Sequence, residues 1–473
     1  MSASPDRVAG ASPDGVASAA LDALAAAKPA TVAKPRPQAP GEPAQIVWEE
    51  AAGAEGAART CQARWRSESG QAPPRRVVVA DDTMKADTAW RLACEGSALL
   101  WRGDYHNARQ LLQAMARRAD GRARKPGKAA RPPATPAEAF HLHRMAQAQR
   151  ARTLGMLLIP FEAGARIPLR RAPEVAEVLA EAVAGTPDAD LAAGPFVMSL
   201  RELLGLIGAH EWRRKGVLVP ALGERIHPWY GVYSPIRGEY LDLVARVPLP
   251  ASTLAFDIGT GTGVIAALLA RRGVARVVAT DVSPRALGCA QENLARLGLL
   301  AEVADPGGAL RGANRANSGA SSSAKSGANP DANLGANELP AGRVELLQAD
   351  LFPPGRAPLV VCNPPWVPAK PSSAIEHAVY DPDSRMLRGF LAGLAEHLEA
   401  GGEGWLILSD LAEHLGLRTR AELLGWTEAA GLRVLGREDI RPRHGKAADA
   451  DDPLHAARAA ETTSLWRLGV AKC

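Results

Sequence analysis

The chain has 473 residues and a formal net charge of +5, and it is 47% hydrophobic and 23% charged. This length predicts two domains with cores of their own, and no apolar run approaches the roughly 20 residues of a membrane-spanning helix. The 5 cysteines lack C-x-x-C spacing, which argues against a zinc site or a disulfide framework. We therefore expect a soluble cytoplasmic protein that binds neither a metal nor a membrane.

The first half of the chain divides into two predicted regions. Residues 1–45 are rich in Ala and Pro and lack the apolar core of a secretory signal, so we expect a disordered tail. Residues 46–245 are predicted to form a mainly helical domain, because apolar residues recur near helical spacing over 87–118. This domain carries no motif of its own and is the natural candidate for substrate recognition.

A basic segment lies within that region. Residues 117–131 contain seven basic side chains against one acid, with Gly and Pro interrupting any helix. Two interpretations remain open: a solvated linker, or an arm that contacts RNA phosphates with an affinity that falls as salt rises.

The third predicted region, residues 246–473, opens with a strand, a glycine-rich turn and a helix over 254–270. Gly259, Gly261 and Gly263 allow the backbone to turn tightly and to approach a ligand. The helix that follows presents free N–H groups and a positive dipole end. The segment therefore predicts a ligand site at the end of the strand.

The nature of that ligand depends on Asp257, which lies inside the turn. Gly261, Gly263 and Ala266 satisfy the looser form of the dinucleotide-binding pattern, so an NAD(P)-dependent oxidoreductase is one alternative. However, a carboxylate at Asp257 would repel a pyrophosphate, whereas it could hold an ammonium group through water or the backbone. The turn therefore favours a zwitterionic ligand.

Two later strands each end in an acid. The strand predicted over 276–281 ends at Asp281, which is placed to bind a ribose diol. The strand predicted within 344–352 is followed by Asp350, which could accept a hydrogen bond from an adenine amine, and by Phe352.

A low-complexity insert separates these two strands. Residues 305–342 repeat Gly-Ala-Asn with serines between, and they cannot bury enough apolar area to fold. The insert falls between a predicted helix and the next strand, away from the strand ends that carry the motifs. The fold should therefore accommodate it.

The most informative motif is Asn363-Pro364-Pro365-Trp366, which follows the apolar run 358–362. Proline has no N–H and fixes its own backbone, so the strand cannot continue pairing and a rigid loop follows it. The loop offers an amide oxygen, a backbone carbonyl and a flat aromatic face at the carboxyl end of a buried strand. These groups suit a planar group that carries an NH2.

In this order, the motifs resemble those of class I S-adenosylmethionine-dependent methyltransferases, and within them the N-methyltransferases with an Asn-Pro-Pro-aromatic loop. The resemblance covers about residues 248–470, and its aromatic position is more often Tyr or Phe than Trp. It implies S-adenosylmethionine as the cofactor. The implied cofactor-binding residues are Asp257, Gly259, Gly261, Gly263, Asp281, Asp350 and Phe352, and the implied catalytic residues are Asn363, Pro364, Pro365 and Trp366.

The same resemblance implies a Rossmann-like α/β fold. The sheet would have seven mostly parallel strands with helices on both faces, and its final strand would be antiparallel. After the Asn-Pro-Pro-Trp loop, the predicted elements are a helix over 384–398, a strand over 403–410, a helix over 418–430, and strands over 432–439 and 463–470.

Two branches of the family are echoed in the chain. Residues 363–368, with Tyr380-Asp381-Pro382 after them, look like the release-factor glutamine methyltransferases, whose substrate is a protein side-chain amide. Residues 231–235, Gly-Val-Tyr-Ser-Pro, are closer to the small-domain ribosomal RNA guanine methyltransferases.

We therefore predict methyl transfer to a planar amide or amine nitrogen, with a glutamine of a translation factor or ribosomal protein as the preferred acceptor. Methylation of an rRNA or tRNA base is one alternative, and a non-catalytic protein that binds RNA or the ribosome is another. No metal is implied, and no general base is assigned.

Overall fold

The computed structural model describes residues 44–50, 59–124, 132–184, 190–235, 238–301, 342–371, 375–443 and 449–471. Nearly all of the predicted tail and of the predicted insert lies outside these ranges, as does the end of the basic segment from residue 125. The described residues from Gln45 onward belong to one compact unit.

Strands and helices are interspersed along the chain. The strands are β1 (Gln45–Glu50), β2 (Arg59–Trp65), β3 (Arg76–Ala80), β4 (Ser97–Trp101), β5 (Leu157–Phe161), β6 (Phe196–Ser199), β7 (Val217–Val219), β8 (Glu224–Ile226), β9 (Leu254–Ile258), β10 (Arg276–Asp281), β11 (Arg343–Gln348), β12 (Ala357–Cys362), β13 (Leu398–Ser409), β14 (Leu432–Ile440) and β15 (Thr463–Val470). The α-helices are α1 (Ala86–Cys94), α2 (Tyr105–Arg124), α3 (Pro136–Leu154), α4 (Ala176–Val183), α5 (Leu200–Lys215), α6 (Glu239–Arg246), α7 (Val264–Arg271), α8 (Pro284–Arg296), α9 (Arg385–His397), α10 (Leu411–His414), α11 (Arg420–Ala429) and α12 (His455–Ala460).

The prediction of a mainly helical region over 46–245 is wrong. Six of its strands form a mixed sheet in the order β1-β2-β6-β5-β4-β3, and β7 and β8 form a separate hairpin. One face of the six-stranded sheet packs against helices through residues such as Leu99 and Ile159, and the alternate residues Leu100 and Leu158 pack with β1. The N-terminal region is therefore also α/β.

The reason for the error is visible within 87–118. This stretch is α1, then β4, then α2, and all five residues of β4 are buried. A fully buried strand does not alternate between apolar and polar residues, so its apolar run cannot be told from a buried helix by periodicity. The helical spacing on both sides of β4 therefore concealed the strand.

The C-terminal region confirms the α/β prediction. Its seven strands lie in the order β11-β10-β9-β12-β13-β15-β14, and β15 is antiparallel to both of its neighbours. Alternate residues of the strands face opposite sides: Leu359 and Val361 pack with α6, α7 and α8, whereas Val360 and Cys362 pack with α9. Each face of the sheet therefore buries its own apolar cluster.

The strand order reverses between β9 and β12. From β9 the chain proceeds to β10 and β11 on one side, and β12 and β13 lie on the other. The two central strands run parallel, with Ile258 paired to Cys362 at their carboxyl ends. Ligands of open α/β sheets bind outside the strand ends at such a reversal. The glycine-rich turn and the Asn-Pro-Pro-Trp loop therefore begin side by side.

The described residues on either side of the gap at the predicted insert are Ala301, which is hydrogen-bonded to strand β11, and Gly342, which is hydrogen-bonded to helix α7. The Ala301 N–H donates to Val344 O at 2.8 Å, and the Gly342 N–H donates to Ala270 O at 3.1 Å. Gly342 immediately precedes β11, so both boundaries lie near the amino end of that strand. The motif-bearing strand ends are at the opposite edge.

Two absences apply to the ranges that the structure describes. Within them, no helix is both long enough and apolar enough to cross a bilayer. The same ranges contain no group of three or more His, Cys, Asp or Glu side chains arranged to hold a metal ion.

Candidate active site

A cavity of about 1180 Å³ lies at the carboxyl ends of the central strands. This volume exceeds the roughly 300 to 1,000 Å³ of a typical small-molecule site, so it has room for two ligands. We call one part the strand-end half, lined by Gly259, Gly261, Asp281, Val282, Asp350 and Leu351. We call the other part the apolar half, lined by Phe140, Val367, Tyr380, Leu411, Leu415 and Leu454. Asn363, Pro364, Pro365 and Trp366 all line the same cavity.

The glycine-rich turn after β9 has the conformation for which glycine is needed. Gly259, Gly261 and Gly263 have φ angles of 72°, 57° and 81°, in the left-handed region that other residues rarely adopt. A Cβ atom on Gly261 would meet no atom within 4 Å, so its backbone is open to the cavity. A Cβ on Gly263 would lie 3.2 Å from Ala290, so this glycine allows close packing on α8 and lies outside the cavity lining.

Asp257 lies behind the turn and outside the cavity lining. Its side chain is buried, and Oδ2 accepts hydrogen bonds from Thr260 Oγ1 at 2.7 Å and from Ala266 N at 3.1 Å. Burial is the largest influence on this carboxyl and raises its pKa to about 7. Asp257 therefore connects the turn to the first turn of α7.

Asp281 joins the ends of two strands. Its Oδ2 accepts from Gly261 N at 3.0 Å, and its Oδ1 accepts from Ser283 N at 2.9 Å. Burial raises the pKa of this carboxyl above its ordinary value. Each carboxylate oxygen can accept more than one hydrogen bond, so both remain able to bind hydroxyl groups in the cavity.

The third acidic strand end is more open. Asp350 lines the cavity, its side chain is 66% exposed, and Oδ2 lies 3.0 Å from Arg385 Nη2. Phe352 is placed outside the lining, where its ring stacks on His397 at 4.3 Å between centroids and on Phe390 at 5.8 Å.

Two apolar residues that the sequence did not indicate line the same end of the cavity. Val282 is 64% exposed, and Leu351 has a φ of 79°. They follow Asp281 and Asp350 directly, so a flat apolar or aromatic group beside the two acids would meet them. Position after a strand-end acid was the signal that could have found both.

The Asn-Pro-Pro-Trp loop is closed by a hydrogen bond within itself. Trp366 Nε1 donates to Asn363 Oδ1 at 2.9 Å. The loop is also fixed to the segment after it, because Val367 O accepts from Asp381 N at 2.9 Å. Cys362 precedes the loop and is fully buried, and burial raises the pKa of its thiol well above the ordinary value. Cys362 therefore stays protonated and is unsuited to be a nucleophile.

The apolar half is partly made by the N-terminal region. Phe140 of α3 lines it, and its ring lies 6.4 Å from that of Tyr380. One turn further on, the Arg144 guanidinium carbon lies 3.9 Å from the centre of the Tyr380 ring. Arg144 also donates from Nη2 to Lys370 O at 2.6 Å and lies 3.4 Å from the Glu376 carboxylate. Helix α3 therefore covers the segment that follows the loop.

Other contributions come from the C-terminal part of the chain. Leu454 packs with Phe140, Val367 and Leu415 in one apolar cluster, and Arg458 of α12 lines the cavity with its Nε 3.3 Å from Asp452 Oδ2. Phe140, Leu415 and Leu454 are far apart in sequence and belong to no motif. Packing in the folded chain is what assembles them.

The segment that resembles ribosomal RNA guanine methyltransferases also reaches the cavity. Gly231, Val232 and Tyr233 line it, beside Tyr230. Burial raises the pKa of Tyr230 to about 12, so its hydroxyl stays protonated. Arg285 fixes the start of the segment by donating from Nε to Tyr230 O at 2.7 Å.

Residues 255–306, which contain the glycine-rich turn and Asp281, match the family described as "Methyltransferase domain". By this match, residues 255–306 resemble the class I S-adenosylmethionine-dependent methyltransferase domain. The chain is 30% identical over 202 residues to the release factor glutamine methyltransferase of Cereibacter sphaeroides, and this alignment covers 40% of the chain and 55% of that relative. It is 39% identical over 54 residues to the ribosomal protein L11 methyltransferase of Pelobacter propionicus, which covers 11% of the chain and 18% of that relative.

The chain thus spans only about half of the first relative and a smaller part of the second. A crystal structure of an S-adenosylmethionine-dependent methyltransferase from Thiobacillus denitrificans in complex with S-adenosyl-L-homocysteine shares 14% identity with the chain. That match has a TM-score of 0.27 and covers 48% of this chain and 89% of that one.

The cofactor of the methyltransferase domain is S-adenosylmethionine. The strand-end half fits it in three respects. The open backbone at Gly261 allows close approach, the carboxylate of Asp281 can accept from hydroxyl groups, and Val282 and Leu351 offer apolar contact to a flat ring.

Proposed function

We propose that this protein transfers the methyl group of S-adenosylmethionine to a planar amide or amine nitrogen, and that the acceptor is a glutamine side chain of a translation-related protein. The observation that carries the proposal is that the Asn363–Trp366 loop and the glycine-rich turn line one cavity. The acceptor nitrogen and the cofactor can therefore meet at the reversal point of the sheet.

We propose that Gly259, Gly261, Asp281 and Asp350 contact the cofactor. Asp257 and Gly263 would then act indirectly, by fixing the turn to α7 and α8, and Phe352 would support the strand end from beneath. When bound, the cofactor supplies a methyl group made electrophilic by its sulfonium. The remaining task of the chain is to present a nitrogen to it.

The acceptor is a weak nucleophile because the lone pair of an amide or aromatic amine is delocalised. Asn363 Oδ1 and the Pro364 carbonyl would each accept a hydrogen bond from the NH2 group and so fix the direction of its lone pair. Orientation of this kind contributes up to roughly 7 to 11 kcal/mol in well-aligned reactions. The nitrogen loses a proton when it gains the methyl group.

No general base is proposed for that proton. The first acid after the loop that lines the cavity is Asp381, and its carboxylate accepts from Met386 N at 3.0 Å and Leu387 N at 3.2 Å. These two bonds give Asp381 a role at the start of α9, and we propose that the proton leaves to water.

Two observations support a protein amide as the acceptor. The longer of the two alignments is to a protein named release factor glutamine methyltransferase. In addition, the apolar half would enclose the hydrocarbon stem of a glutamine between Phe140, Tyr380 and Leu454 while its amide reaches Asn363. N-methylation of an rRNA or tRNA base is the second candidate, because the segment at Gly231–Tyr233 also lines the cavity.

The test is to incubate the chain with tritiated S-adenosylmethionine and a lysate of cells that lack the protein, and then to digest with protease or with RNase. We expect protease alone to release the label into small fragments, and Asn363→Ala to transfer none. Release by RNase would instead support a base. If neither acceptor is labelled while calorimetry shows cofactor binding, the chain binds without catalysing transfer. Binding of NADH would support an oxidoreductase instead.

A further inference from the structure

We propose that the indole N–H of Trp366 is a positioning group that fixes Asn363 as a hydrogen-bond acceptor, and that it thereby restricts the methyl acceptor to nitrogens that carry an N–H. This inference rests on the proposed function, because it concerns the site at which the acceptor nitrogen would bind.

The atoms that meet are determined by their chemistry. The nitrogen of an indole can only donate, whereas an asparagine amide has one accepting oxygen and one donating nitrogen. The group 2.9 Å from Trp366 Nε1 must therefore be the amide oxygen, Oδ1 of Asn363. If the amide turned over, two donors would face each other, and an unmet polar group of this kind costs about 1 to 3 kcal/mol.

The indole holds one lone pair of Asn363 Oδ1 and leaves the other for the acceptor. Asn363 then presents an oxygen to the cavity in a constant orientation. A primary amide or an exocyclic amine donates to that oxygen. A ring nitrogen without hydrogen, or a carboxylate, would need a donor from Asn363 at the same place and is disfavoured.

The indole is itself held in place by packing. Trp366 packs against the apolar clusters on both faces of the seven-stranded sheet and against the cluster that contains Phe140 and Leu415. The next residue, Val367, is fixed by the hydrogen bond from Asp381 N to its carbonyl at 2.9 Å. The indole therefore cannot swing away from Asn363 without disturbing three packed surfaces.

Tryptophan is the residue that makes this contact possible. A phenylalanine ring has no N–H or O–H, and the hydroxyl of a tyrosine lies at the far end of its ring. Either ring would offer a face for stacking, but neither could donate from the position of Nε1. The difference between Trp and the more usual aromatic residues is thus a difference in how Asn363 is held.

The test replaces Trp366 with 3-benzothienylalanine, which has the shape of tryptophan but carries sulfur in place of the N–H, and compares it with Trp366→Phe. We expect kcat to fall about 3- to 10-fold in both variants, the effect of losing one hydrogen bond between neutral groups. Affinity for S-adenosylhomocysteine should stay within about 2-fold of wild type in both variants, because the proposed cofactor contacts are unchanged. Trp426→Phe, which changes a tryptophan outside this cavity, is the matched control and should retain wild-type kcat.

A role of Trp366 in stacking alone would predict that the benzothienyl variant keeps full kcat, and this result would overturn the proposal. A second measurement needs no acceptor: hydrogen exchange of the Trp366 indole proton, followed by NMR, should be slow in the unaltered chain. Rapid exchange would also overturn the proposal. Failure of the unaltered chain to methylate any acceptor would overturn the proposed function, whereas the exchange rate would still decide whether the indole holds Asn363.

Discussion

The two halves of the cavity are built in different ways. The strand-end half is formed by consecutive strand ends between Gly259 and Leu351, and its polar contacts join neighbouring loops, such as Gly261 N to Asp281 Oδ2 at 3.0 Å. The apolar half collects side chains from α3, from the segment after the loop and from Leu454. The proposed cofactor site is therefore contained in short motifs, whereas the proposed acceptor site depends on distant parts of the chain.

The largest effect on kcat is expected for Asn363, in the loop that lines the same cavity as the two halves. Asn363→Ala removes the amide that would orient the acceptor, and we expect kcat to fall by at least about 100-fold, as when a preorganised hydrogen-bonding group is lost from an active site. Calorimetry should find cofactor affinity within a few-fold of wild type. Equal loss of cofactor binding would mean that the loop belongs to the strand-end half.

Within the strand-end half, Asp281 and Asp350 should differ. Asp281→Ala removes a carboxylate that also fixes Gly261 N, and we expect cofactor binding to weaken by about 1 to 3 kcal/mol. Asp350→Ala is the matched control, because its side chain is 66% exposed and its ion pair with Arg385 lies in water, so its effect should be smaller. A larger loss in the Asp350 variant would reverse the proposed roles.

The stability of the folded chain should depend on pH through Asp257, which lies behind the glycine-rich turn. The pKa of Asp257 is about 7 in the folded chain, above the ordinary value of 3.8. Between these values the folded chain keeps a proton that the unfolded chain releases, so stability should fall as pH rises, by at most about 1.4 kcal/mol per pH unit. Asp257→Asn keeps an oxygen that can accept from Ala266 N but cannot ionise.

This expectation is checked by measuring the thermal midpoints of the wild type and of the Asp257→Asn variant between about pH 4.5 and about pH 8, a range in which Asp257 should ionise. The thermal midpoint of the variant should rise relative to that of the wild type as pH rises towards about 7, and the difference between the two midpoints should then level off. A constant difference across the range would show that Asp257 does not change its charge there.

The apolar half should give the smallest effect, and it should act on the acceptor alone. Phe140→Leu keeps an apolar side chain but shortens it. We expect the acceptor KM to rise about 5-fold, which corresponds to about 1 kcal/mol, while cofactor affinity is unchanged. Leu142→Ala is the control, since Leu142 lies on the same helix and is 47% exposed. If both variants change KM equally, α3 acts through its stability and not through the cavity.

The sequence predicted most of the C-terminal region because its signals are local. The strand ends at Ile258, Asp281 and Cys362 follow apolar runs and are marked by glycine, acid and proline. The roles of Gly263 and Phe352 were harder to foresee. A motif has the same sequence whether a given residue lines the cavity or packs behind it, and only the packing distinguishes the two cases.

The N-terminal region and the apolar half could not be predicted for a related reason. The strand β4 is buried along its whole length, so its sequence shows no alternation. Phe140 belongs to a helix whose apolar residues look like ordinary core positions, and its neighbour Tyr380 is 240 residues away. Only the folded chain brings them together.

The boundaries at Ala301 and Gly342 have a practical consequence. Both are hydrogen-bonded near the amino end of β11, at the edge of the sheet remote from the cavity. We therefore expect segments of different lengths to join these two points without displacing the residues that line the cavity. A fluorescent reporter or an affinity tag inserted between them should therefore allow the protein to be detected or immobilised while access to the cavity stays open.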